Sequence, residues 1–289
     1  MKWILFFLLF TRSIWAESSK VIPVFLEASQ MYIEGQSLKD SLYVSKEIRS
    51  ALEVLEKSKI DPKLIEKYTS QKVSSWPLRE DDEYDSWSNS PNMISNDVPE
   101  IVVHALKVDV IETSDDFFKD DVYAYFFITD GIIPTGKVTS IYKGISSMQS
   151  FFFNEVDRVV FPLSSKQAKK PDNHLIIDYG LIESDGDDIK EMQKLSSIII
   201  DLAIAVYSSY DPQSSKVIIN LRKEIKALSE MLINLNHDDR LATGTIGYKA
   251  TELIQMFKNL SYVEIMKKHQ GNGDFNKWRY DLSFRLIRR

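Results

Sequence analysis

The sequence predicts an α+β protein: an antiparallel β-sandwich carrying an inserted antiparallel helical hairpin and preceded by a small helical segment. Three observations carry that prediction. From Glu100 onward, apolar residues recur with a period of two in short runs bounded by Gly, Pro, Asp or Ser, the pattern of strands in an antiparallel sandwich. Between about residues 188 and 236 the period changes to three and four, that of amphipathic helices. A β-pattern then resumes at Thr243-Gly-Thr-Ile-Gly-Tyr248, so the helical stretch reads as an insertion into a sheet.

Taken in order, residues 1–16 read as a signal peptide. Lys2 precedes an apolar run from Trp3 to Phe10, and small or polar residues lead to Ala16. That run is too short to span a bilayer, and the competing reading is an uncleaved amphiphilic anchor. A periplasmic or secreted location follows from the first reading. Residues 17–69 carry a helical pattern in which Val44, Ile48, Leu52, Leu55 and Ile60 step by three to five, with a break at Asp61-Pro62. Residues 70–99 are rich in Ser, Asn, Asp, Glu and Pro around the acidic stretch 79–92. Such a composition buries too little apolar surface to order itself and reads as a flexible linker.

The sandwich occupies residues 100–289. Its strand-like runs are 101–113, 122–131, 136–145, 150–163, 174–182 and 278–287. Strict alternation of Trp278, Tyr280, Leu282 and Phe284 predicts a half-buried final strand. In the insertion, Met192, Leu195, Ile199, Leu202 and Val206 form one stripe. Ile218, Leu221, Ile225, Leu228, Leu232 and Leu235 form another, and 210–216 is the turn between them. Residues 251–269 give a weaker helix-like pattern before the turn at 271–274.

Composition excludes several chemistries. The chain has no cysteine, hence no disulfide, no thiolate nucleophile and no zinc–thiolate centre. Its net charge of -6 argues against nucleic acid as a partner, and an anionic membrane would have to be met through a bridging cation or a local basic patch. His104, His174, His237 and His269 are scattered, none in a metal-pair spacing, and His237 beside Asp238 is the one adjacent to an acidic cluster. There is no nucleophile elbow and no phosphate loop. An enzymatic activity is therefore unsupported.

The acidic residues are the remaining source of chemistry. Glu183, Asp185, Asp187 and Asp188 crowd one loop, and Asp238 and Asp239 follow the helices. The ends of an inserted hairpin must be neighbours, so both clusters meet at one edge as a single site. Crowded carboxylates repel one another unless a cation offsets them. The competing reading makes Asp187 and Asp188 first-turn helix acids, with Asp238 and Asp239 solvating a turn.

With the insertion set aside, the stretch 115–128, DDFFKDDVYAYFFI, resembles the loop of a C2 domain in which an Asp, a short spacer and a second Asp precede a strand. Glu183, Asp185 and then Asp239 before Gly244 are similar in order to another loop of that family. The resemblance covers about residues 100 to 289 and implies a C2-like β-sandwich with a calcium site. Its ligands would be Asp115 or Asp116, Asp121, Glu183, Asp185 and Asp239, and calcium takes six to eight oxygens. The expected function is that of an exported, non-catalytic recognition module binding a protein or membrane partner, gated by calcium. The rival is a secreted metal-assisted hydrolase using the same acids, which would need a concave pocket. A third reading has the hairpin packing with another copy in a homo-oligomer.

Overall fold

The period-two runs form two antiparallel sheets, and the helical segments lie against the outer face of one of them. The computed structural model describes residues 21–37, 44–69, 97–113, 119–130, 134–163, 168–172, 174–184, 189–209, 240–272 and 277–289. The expected signal segment, most of the linker and the second helix of the hairpin lie outside the described residues.

Three helices come first: α1 (Val21–Ile33), α2 (Lys46–Ser58) and α3 (Pro62–Thr69). Ser45 caps α2 by accepting the Ile48 N–H through its hydroxyl, and Lys59 ends the helix in a left-handed conformation, φ 49°. Pro62 then sits at the first position of α3, where its missing N–H costs nothing, while the Asp61 carboxylate accepts the Lys63 N–H. The break expected at Asp61-Pro62 is thus a helix-to-helix turn.

Sheet 1 contains β1 (Ile101–Glu112), β5 (Gln149–Phe152), β6 (Val159–Phe161), β9 (Tyr262–Asn272) and β10 (Lys277–Arg288). Their order is β5-β1-β10-β9, with β6 beside β5 on the same edge of β1. Sheet 2 contains β2 (Asp120–Thr129), β3 (Thr135–Val138), β4 (Tyr142–Ile145), β7 (His174–Ser184) and β8 (Arg240–Lys249). The order there is β3-β2-β7-β8, with β4 also on β2. Inward-facing residues of both sheets make one core, among them Val103, Val108, Phe126, Ile177, Leu181, Ile246, Leu282 and Phe284.

The long insertion helix α5 (Ile189–Ser209) presents the expected stripe: Met192, Leu195, Ile199, Leu202 and Val206 are all buried. They share a second core with Phe25, Leu52, Leu55 and Ile65 of the N-terminal helices and with Tyr123, Tyr125 and Phe127 from the outer face of β2. The hydroxyls of Tyr123 and Ser196 meet at 3.0 Å and satisfy each other inside this layer. Gly136 on β3 makes the close approach of α5 feasible, because a Cβ there would overlap Ile200 Cγ2. The N-terminal helices therefore belong to the helical layer that α5 lays on the sandwich.

Three local readings are corrected. Residues 251–269 are not one helix: α6 (Ala250–Met256) is short, and β9 follows as a strand that a helical reading misses because Val263, Ile265 and Met266 mix both periods. The run 136–145 divides into β3 and β4 because the Thr139 hydroxyl takes the Ala124 N–H at 2.9 Å, a ladder position. The run 150–163 divides at α4 (Glu155–Arg158), where Asn154 caps the Asp157 N–H at 2.8 Å. The buried Asp157 carboxylate in turn accepts Ser140 N, Tyr142 Oη and Asn154 Nδ2. The half-buried reading of β10 holds: Tyr280, Leu282, Phe284 and Leu286 face the core, and Arg279 and Arg285 on the other face are partly exposed. Asp281 and Ser283 are buried beside its apolar row, and the Arg279 guanidinium closes on Asp281 with two hydrogen bonds.

Candidate functional site

The strands that lead into the segments carrying the candidate ligands begin or end at one end of the sandwich. There β1 ends at Glu112 and β2 begins at Asp120, so Asp115 and Asp116 lie in the connection between them. At the same end β7 finishes and β8 starts, with Ile182 opposite Arg240. The two ends of the 185–239 segment are therefore adjacent, and the helical stretch is a true insertion at one point of sheet 2. The β4–β5 turn also lies here, since Asp120 pairs with Ile145 and Val110 pairs with Gln149. Thr113 fastens that turn through its N–H to Ser147 Oγ at 3.0 Å and through its hydroxyl at 2.9 Å.

Of the six candidate ligands, Asp115, Asp116, Asp185 and Asp239 lie outside the described residues, as do His237 and Asp238. Asp121 and Glu183 are described, and their backbones are neighbours: Asp121 is opposite Ser184, and Val122 is opposite Glu183. Directly opposed residues share a face. Glu183 therefore sits on the inter-sheet face with Val122 and is fully buried, while Asp121 lies on the other face. The Asp121 carboxylate accepts the Gly144 N–H at 2.8 Å and pairs with Lys143 at 3.2 Å. Gly144 has φ +67°, a conformation that turns its amide toward Asp121 and that a side chain would oppose. The two carboxylates thus project to opposite faces of the same strand pair.

A further acid belongs to this end. Asp120 is fully buried on the inward row of β2 and accepts the hydroxyl hydrogen of Tyr280 from β10, tying the two sheets together. Sequence reading passes over it in favour of Asp121. Tyr280 falls on the same alternation as Leu282 and Phe284, but β2 is apolar on both faces, so parity alone does not separate Asp120 from Asp121. Among the described residues, no three His, Asp or Glu side chains converge in a geometry that holds a metal ion.

The turn joining β4 to β5 adds an apolar element. Met148 is 82% exposed with φ 62°, a backbone region that glycine or asparagine occupies at lower cost. Ile111, partly exposed on β1, lies at the same end. No helix among the described residues is long and apolar enough to cross a membrane.

No family model matches the sequence, and no curated protein is significantly similar to it. Among solved structures the chain is similar to a C2 domain of plant extended synaptotagmin 1, at 6% identity over 66% of this chain and 96% of that domain, with a TM-score of 0.28. The strand pairing described above independently defines an α+β protein built on two antiparallel sheets, an architecture consistent with a C2-like sandwich.

Proposed function

We propose that this chain is an exported, non-catalytic recognition module whose contact surface is the loop-bearing end of the sandwich, and that the surface it meets is a lipid membrane bridged by calcium. The observation that supports the reading most directly is the exposed Met148 at the tip of the β4–β5 turn. A methionine there leaves apolar surface in water and adopts a costly backbone conformation, and both costs are offset if the side chain enters an apolar environment. The strands flanking the acidic stretches 115–121 and 185–188 begin or finish at this end of the sandwich, and acids carried there would repel an anionic bilayer unless a divalent cation lies between.

Sedimentation with vesicles of anionic and of neutral phospholipid, with calcium or with chelator, tests the proposal. The expected outcome is binding to anionic vesicles that requires calcium and falls severalfold in Met148→Asp. Calcium titration calorimetry beside a magnesium control reports the cation separately. A chain that ignores both calcium and vesicles would have a protein partner or none at this end.

A further inference from the structure

Among the described residues, the β9 strand is the long open edge of sheet 1. It spans Tyr262–Asn272, pairs through its backbone with β10 along one side, and terminates the strand order on the other. Such an edge presents a row of hydrogen-bonding groups to solvent and is a template for another strand. His269 holds it against sheet 2, since its Nε2 meets the Tyr179 hydroxyl at 2.9 Å. The edge is therefore anchored in place.

The side chains on the outer face of β9 read Tyr262, Glu264, Met266, Lys268 and Gln270, an arrangement with a centre at Met266. Suppose two copies pair their β9 strands antiparallel about a two-fold axis perpendicular to the sheet. Outer-face residues must then meet outer-face residues, which leaves a few registers. Centring on Met266 places Glu264 opposite Lys268 of the partner subunit, twice. Centring on Glu264, Lys267 or Lys268 instead sets two like charges face to face, and centring on Ile265 leaves Glu264 against a methionine.

The neighbouring strand extends the match. Arg285 lies opposite Glu264 and Asp281 lies opposite Lys268 on β10, and the Arg285 guanidinium already binds Glu264 at 2.5 Å. In the Met266-centred register each row across the junction runs Arg285, Glu264, then the partner's Lys268 and the partner's Asp281. Charge alternates at every step. Opposite-charge pairs directly across strands stabilise a sheet, and like pairs destabilise it.

We infer that the occupant of this edge is a second copy of the chain, forming an isologous dimer in which the two copies of sheet 1 become one continuous sheet through β9–β9 pairing centred on Met266. This inference stands apart from the membrane reading, because the edge and the loop-bearing end use different residues.

Charge exchange tests it. Analytical ultracentrifugation of the full chain is expected to show a dimer. Lys268→Glu and Glu264→Lys each place two like pairs at the junction, and each variant alone is expected to dimerise roughly tenfold to a hundredfold more weakly. Mixing the two variants restores an opposite pair in both rows, so the mixture should form a heterodimer while neither parent dimerises. Since the chain has no cysteine, Met266→Cys supplies a unique thiol on the axis and should cross-link under mild oxidation, whereas Gln270→Cys should not. Circular dichroism confirms that each variant is folded. A parent that is monomeric at its highest soluble concentration, or a mixture of variants that stays monomeric, overturns the proposal.

Discussion

The two sheets of this sandwich have the same strand count and the same antiparallel pairing, yet their sequences read differently. On β2 of sheet 2 nearly every residue is buried, including both Phe126 on the inter-sheet face and Phe127 on the opposite one. On β9 of sheet 1 the outward positions, Tyr262, Glu264, Met266, Lys268 and Gln270, are all exposed. The cause is the helical layer. Helix α5 lies against the outer face of sheet 2 with α1 to α3 packed into the same apolar core, while the outer face of sheet 1 carries the pairs Lys107–Asp109, Arg279–Asp281 and Arg285–Glu264. A strand covered on both faces loses its alternation, and an apolar run such as VYAYFFIT then marks where something else in the chain must pack.

The most severe way to break this asymmetry is to remove the cover. A chain beginning at residue 97 lacks α1 to α3 and strips part of the layer over Tyr123, Tyr125 and Phe127. It is expected to bind a hydrophobic dye and to lose its cooperative thermal transition, both measurable beside the full chain. Retention of a sharp transition would show that α5 alone suffices as cover.

A paired substitution gives a smaller and more quantitative comparison. Phe127→Ala removes a fully buried ring from the helix-covered face and should cost about 3–5 kcal/mol in denaturant unfolding. Met266→Ala removes a half-exposed side chain from the solvent face of sheet 1 and should stay within about 0.5 kcal/mol. Equal costs would mean that both faces are covered.

The smallest expected effect comes from the polar face. Partial burial alone would raise the Asp109 carboxyl, but hydrogen bonds from Lys107 and Ser150 and the Lys107 charge hold it below the usual carboxylate range. A depressed folded pKa contributes stability that is present above the unfolded Asp value and lost as pH falls through the folded one. Asp109→Asn should therefore flatten the acid side of a melting-temperature profile, lowering the melting temperature slightly at neutral pH and leaving it nearly unchanged at low pH.

Local pattern was enough for much of the fold. The alternation of Tyr280, Leu282 and Phe284 gave the inward row of β10, the stripe from Met192 to Val206 gave the buried face of α5, and Asp61-Pro62 gave the helix break. The resumption of strand pattern after the insertion implied adjacent ends, and the pairing of Ile182 with Arg240 shows them adjacent. Each of these is set by spacing along the chain, which period and backbone geometry convert directly into structure.

Tertiary structure decided what spacing cannot encode. Two neighbouring carboxylates, Asp120 and Asp121, look alike in sequence, but strand pleating sends one inward to Tyr280 and the other outward to Lys143 and Gly144. Residues 262–272 became a strand because β10 offered a ladder, overriding an ambiguous local pattern. The N-terminal helices packed into the core with α5, a choice the sequence leaves open because an amphipathic face does not specify its partner. Which surfaces meet is fixed only when the whole chain competes for the same apolar area.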